Sequence, residues 1–105
     1  MNEASALYRE AIKLFQEDKL RDAIARLEKA TEIDPKFADA YEALGEMYFR
    51  SERLDDAIRV TQRFCELAPD AVMAHTNLSR LYQKKGMIKE AEEEQAKARM
   101  LSMKK

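Results

Sequence analysis

Residues 41–69 read YEALGEMYFRSERLDDAIRVTQRFCELAP. Apolar residues in this stretch step by three and four, the period of a helix face and not the alternation of a strand. Two such runs follow each other: the first ends near Arg50, and the second starts near Leu54 and stops at Pro69. Neither run can bury its apolar stripe alone. The flanking sequence supplies partners, because the same pattern occurs once before this stretch and once after it.

Pro35 and Pro69 lie 34 residues apart, and other positions keep that register. Ala23, Ala57 and Ala91 share one column; Leu20, Leu54 and Ile88 another; Ile33, Leu67 and Leu101 a third. Leu14 aligns with Tyr48 and Tyr82, and Ala6 with Ala40 and Ala74, while Ala11, Gly45 and Ser79 keep one place small. A fixed period of this length is the mark of a stacked repeat architecture. The repeats run over about 4–37, 38–71 and 72–103, in a single domain covering 1–105. Helices are predicted at about 3–17, 20–33, 37–50, 54–67, 71–85 and 88–102. Proline disfavours αR in the residue before it, so the second helix of the first two units must stop at Asp34 and Ala68. Within units, Glu17-Asp18-Lys19 and Ser51-Glu52-Arg53 are merely polar breaks, whereas Lys85-Gly86 offers the glycine that a left-handed helix end prefers. Short connections make consecutive helices antiparallel. The fold class is all-α.

Composition agrees and narrows the function. Charged residues make up 37% of the chain against only two glycines and two prolines, which favours helix over strand. Nineteen basic and twenty acidic residues leave a formal charge of −1, so no global field draws the chain to nucleic acid or to an anionic membrane. A single cysteine, Cys65, rules out an intrachain disulfide and a multi-cysteine metal site. The first residues, MNEASALYREAIKLF, are helical in period and carry no basic region followed by an apolar run, so a cytoplasmic location is expected. No stretch approaches the roughly 18 apolar residues of a membrane span.

Tyr41-x2-Leu44-Gly45-x2-Tyr48, followed by Ala57 and Pro69, resembles the tetratricopeptide repeat (TPR) pattern, with Tyr in place of the usual Trp. The third unit repeats it as His75-x2-Leu78-Ser79-x2-Tyr82 with Gly86 and Ala91, and the first as Leu7, Ala11, Leu14, Ala23, Ala30 and Pro35. The resemblance implies an α-solenoid of three helix-turn-helix repeats, six antiparallel helices wound into a right-handed superhelix. It also implies an adaptor that holds a short segment of a partner protein in a concave groove lined by the first helix of each unit. Gly45 and Ala57 are expected where the two helices of a pair cross, since larger side chains would push them apart.

Departures from the pattern are informative. The large apolar residue expected four after the shared alanine is Leu27 in the first unit, but Thr61 and Gln95 in the others. The small residue three further on is Ala30 and Ala98, but Phe64 in the middle unit. Thr61 with Phe64 therefore reads as a size exchange that conserves core volume. At the ends, Glu10 and Lys13 stand where inner units carry Leu44, Leu78, Met47 and Leu81, and Glu92 stands where Ile24 and Ile58 do. Polar outer faces are what a finite stack requires. The sequence thus suggests a self-capped array whose last helix, with Glu92, Glu93, Glu94 and Lys97, forms its own cap; pairing through Met100, Leu101 and Met103 is the alternative.

Chemistry is sparse. His75 is the one histidine and coincides with Tyr41 and Leu7, which marks it as a packing residue. Cys65 has no histidine near it in sequence to lower its pKa, and Glu90, Glu92, Glu93 and Glu94 read as a solvated helix face, not a cation site. No phosphate loop or nucleophile elbow is present, so no enzyme activity, cofactor or metal is expected. The groove-facing positions given by the resemblance include Tyr8, Ile12, Phe15 and Phe49 as an apolar half, with Met73, and Asn77, Arg80 and Lys84 as a polar, basic end. Chaperone-binding members of the family grip a peptide carboxylate with Lys and Asn. The matching positions here are Tyr8, Ile12, Ala43, Met73 and Asn77, of which only Asn77 fits, so that clamp is not expected. A protein or peptide partner is expected, with homodimerisation or end-to-end self-association as the alternative, and no nucleic acid or membrane.

Overall fold

A computed structural model describes residues 2–104. The chain runs α1 (Glu3–Gln16), α2 (Leu20–Ile33), α3 (Ala38–Arg50), α4 (Leu54–Leu67), α5 (Val72–Lys85) and α6 (Ile88–Met103). There is no strand among the described residues. Each boundary has a local cause. Asn2 caps α1 by accepting the Ser5 N–H at 2.8 Å, and α2 and α4 stop at the residues that precede Pro35 and Pro69.

The breaks inside the units correct one expectation. Asp18, Glu52 and Gly86, each 34 residues from the next, all adopt positive φ, at 62°, 60° and 88°. After each, the following N–H reaches back across the helix end: Lys19 to Leu14 O at 2.9 Å, Arg53 to Tyr48 O and Met87 to Tyr82 O at 2.8 Å. All three breaks are therefore one left-handed helix-ending turn, although glycine marks only the last. An orphan carbonyl is satisfied each time, and that bond holds two side-chain-bearing residues in a region they disfavour.

Helices pack in chain order, most closely as the pairs α1/α2, α3/α4 and α5/α6, with α2/α3 and α4/α5 joining one pair to the next. The radius of gyration, 14.0 Å, exceeds the roughly 13 Å of a compact globule of this length, as expected of a stack. At the small column, Ala11 and Ser79 are buried and Gly45 is packed so closely that a Cβ there would lie 2.6 Å from Thr61 Oγ1 and 3.9 Å from the Ala57 carbonyl. The close approach at Gly45 is thus chiefly with Thr61. Thr61 and Phe64 are both buried, as are Leu27 and Ala30 at the equivalent places, which agrees with a size exchange.

Neighbouring units also share polar contacts in register. Tyr48 donates to Glu28 Oε2 at 2.5 Å, and at the next interface Gln62 Nε2 donates to Tyr82 at 2.8 Å. Burial, followed by the Glu28 carboxylate that accepts its proton, pushes the Tyr48 phenol up to about 12. The first-helix residue after each proline turn holds the proline carbonyl: Tyr41 donates to Pro35 O at 3.0 Å, and His75 Nε2 lies 2.9 Å from Pro69 O. Leu44, Met47, Leu78, Leu81, Ile24 and Ile58 are buried between units, whereas Glu10, Lys13 and Glu92 are exposed. Glu94 departs from the expected cap. It is buried, not solvated, and lies against His75.

Candidate protein-binding groove

The first helices place the expected groove residues in two unlike groups. Tyr8, Ile12 and Phe15 are half-buried on α1 and packed against the core. The Tyr8 ring lies 5.3 Å from that of Phe37, and the Arg50 guanidinium sits 5.0 Å over the Phe15 ring. The chain's own side chains therefore cover part of the apolar half, and Arg50 supplies a cation–π lid that the sequence did not reveal.

The second group is open. Glu42, Gly45, Glu46 and Phe49 of α3, Thr61 of α4, and Asn77, Arg80 and Leu81 of α5 line one concavity between the second and third units. It holds about 20 Å³, far below the roughly 300–1,000 Å³ of a small-molecule pocket. Beside it, Phe49, Glu52, Leu54 and Lys84 surround a wider depression of about 390 Å³. Phe49 lines both and is 38% exposed. Phe49, Asn77, Arg80 and Lys84 are thus brought together. Met73 is exposed and lies outside both concavities.

The charges are arranged by helix. Asp39, Glu42 and Glu46 project from α3, and Arg80 and Lys84 from α5. Burial, and then the Asp39 charge, hold the Glu42 carboxyl above its ordinary value. The Tyr8 phenol is raised by burial first and then by Asp39 and Glu42. Glu46 is paired with Arg50 at 2.9 Å. Among the described residues no ion pair involves Arg80 or Lys84. Glu42 and Glu46 form an acidic wall of the same concavity. Its signal was present, since these residues fall on the groove-facing positions, but their place beside Phe49 required the fold.

Family models describe residues 14–51 as a TPR repeat and residues 74–101 as a tetratricopeptide repeat. The chain belongs to the tetratricopeptide repeat family. Among solved structures, a crystal structure of MamA is 28% identical, with a TM-score of 0.93 over 97% of this chain and 60% of that one. MamA residues 41-end from Desulfovibrio magneticus RS-1 give a TM-score of 0.91 at 28% identity, over 99% of this chain and 59% of that one. The CopN-Scc3 complex matches with a TM-score of 0.92 over 97% of this chain and 60% of that one; at 17% identity this likeness concerns the fold alone. This TPR chain spans about 60% of the length of the MamA chains it matches. No curated protein sequence matches it. The TPR solenoid is a scaffold for protein binding, and the open concavity around Phe49 is where this one presents exposed apolar and charged groups together.

Proposed function

We propose that this TPR protein is a cytoplasmic adaptor that holds a short segment of a partner protein along α1, α3 and α5. The observation that carries this reading is Phe49, an exposed aromatic at mid-groove, flanked by the depression over Leu54 and by the cations Arg80 and Lys84. A partner apolar side chain would seat on Phe49 and Leu54, burying surface at roughly 25 cal/mol per Å². An acidic group beside it would meet Arg80 or Lys84, and a basic group would face Glu42. Charge of both signs along one groove fixes the direction of the bound segment as well as its affinity. The clamp positions Tyr8, Ile12, Ala43 and Met73 offer no cation, which argues for recognition of an internal segment rather than a chain end. The partners of MamA and of the CopN-Scc3 assembly are not carried over.

The test is affinity capture from the native cell extract, with the double variant Phe49→Ala, Arg80→Glu as control. Capture should be lost in the variant while its helical circular dichroism is unchanged; equal capture by both proteins overturns the groove assignment. A second reading, self-association through the last helix, is favoured by Met100 and Met103, which are 64% and 79% exposed one helical turn apart. Light scattering of the chain and of Met100→Lys, Met103→Lys separates the readings. A dimer that the lysines dissolve, with no captured partner, supports the scaffold.

A further inference from the structure

The interface between the second and third units carries a cluster that the groove does not use. Cys65 of α4, His75 of α5 and Glu94 of α6 each offer one ligand atom, and those atoms all lie within 4.8 Å of one another. We propose that Cys65, His75 and Glu94 bind a divalent cation of the zinc class.

The geometry suits such an ion. Zinc–ligand bonds of about 2.0–2.3 Å place tetrahedral ligand atoms roughly 3.3–3.8 Å apart, so the widest pair need close by at most about one ångström, while His75 Nδ1 and Glu94 Oε1, now 2.8 Å apart, must part by about half an ångström. The histidine is set up as a ligand. Its Nε2 faces the Pro69 carbonyl at 2.9 Å, which can only accept, so Nε2 carries a proton and Nδ1 is the ligand nitrogen. Metal-bound histidines are commonly oriented by this kind of second bond to a backbone carbonyl. Glu94 is likewise divided: Lys97 holds Oε2 at 2.9 Å, leaving Oε1, which lies 2.8 Å from Nδ1. His75 and Glu94 are buried and Cys65 half-buried. A concavity lined by these three with Gln62, Tyr82 and Lys97 opens beside them, leaving room for water as the fourth ligand.

The neighbouring interface is an internal control. One repeat earlier, 34 residues back, the three places hold Thr31, Tyr41 and Val60. There Tyr41 takes the proline carbonyl, and Val60 is 2% exposed. The fold thus packs this position without any ligand, and a carboxylate at the place of Val60 is not required for packing and is costly to bury. Binding would displace the thiol proton and the proton shared by Nδ1 and Oε1 to solvent. The bound state is then a thiolate, a neutral imidazole and a carboxylate around a dication, with the ligand charge balanced. Cys65 coordinates only as a thiolate, so the ion must bind sulfur strongly enough to displace the thiol proton. Zinc and its neighbours do, and magnesium and calcium do not.

The test is titration of the full chain, reduced and freed of metal, with Co²⁺ and then Zn²⁺. One Co²⁺ per chain should bind with a thiolate-to-cobalt charge-transfer absorption that Zn²⁺ abolishes, and millimolar Mg²⁺ or Ca²⁺ should leave it unchanged. Cys65→Ala should remove the band and weaken zinc at least tenfold. His75→Tyr, which installs the residue the chain itself uses at position 41, should do the same. Absence of the band at millimolar Co²⁺ overturns the proposal. So does zinc affinity equal in the parent and in Cys65→Ala, which would place the ion on surface carboxylates. If His75→Tyr loses its helical circular dichroism, Cys65→Ala alone decides.

Discussion

Phe64 fills, in the second unit, a place that Ala30 and Ala98 hold in the others, and it is only 5% exposed there. Its partner in the exchange, Thr61, gives up the volume of Leu27 and presses its hydroxyl against Gly45. Gln95, at the same place in the third unit, is exposed. Removing this buried ring leaves a cavity, so Phe64→Ala should cost about 3–5 kcal/mol. A urea melt measures this, and a loss near zero would show that the ring is not part of the core. The exchange could be read from the 34-residue register, because volume conservation is a rule about sequence columns. That Thr61 and not Ala57 is the nearest neighbour of Gly45 could not, since it depends on the rotation of α4 against α3.

The three helix-ending turns show what a short motif hides. Gly86 announces its conformation, whereas Asp18 and Glu52 adopt the same positive φ with polarity as their sole local mark. The backbone bond from Arg53 to Tyr48 O forces Glu52 there against its own preference. Glu52→Gly should therefore stabilise the protein by about 0.5–1 kcal/mol through relief of that strain. Gly86→Ala should destabilise it by about 1–2 kcal/mol, although a Cβ at Gly86 would meet nothing within 4 Å. Paired thermal melts check both signs. If Gly86→Ala is neutral, contact and not conformation governs these turns. Spacing alone, with Leu14, Tyr48 and Tyr82 in one column and Asp18, Glu52 and Gly86 in another, carried the information.

Across the whole molecule, stability follows the stack. A linear array is held by the helices themselves and by contacts with adjacent units, and within this chain only α3 and α4 belong to a unit with neighbours on both sides. The helices of the end units should open below the global unfolding energy. The outermost helices bury least, with Ala4 and Ala11 in α1 and Ala91, Glu94 and Ala98 in α6. The candidate sites divide along the same line. The groove positions came from the resemblance to the repeat family, whose first helices line the concave face, whereas nothing in that pattern points to the metal cluster. Its members come from three helices, and His75 and Glu94 differ in type from their counterparts Tyr41 and Val60. Looking along the repeat columns for a buried position that turns ionisable would have found Glu94. Because Cys65, His75 and Glu94 lie on α4, α5 and α6, a shared cation would fasten this sparsely buried end helix to the two before it. Amide hydrogen exchange should accordingly show α6 exchanging faster than α3 and α4 in metal-free protein. Saturating zinc should slow α6 selectively, leaving α1 unchanged, and this protection should vanish in Cys65→Ala. Equal slowing of α1 and α6 would mean that zinc acts on the whole chain and not through the three-helix clasp.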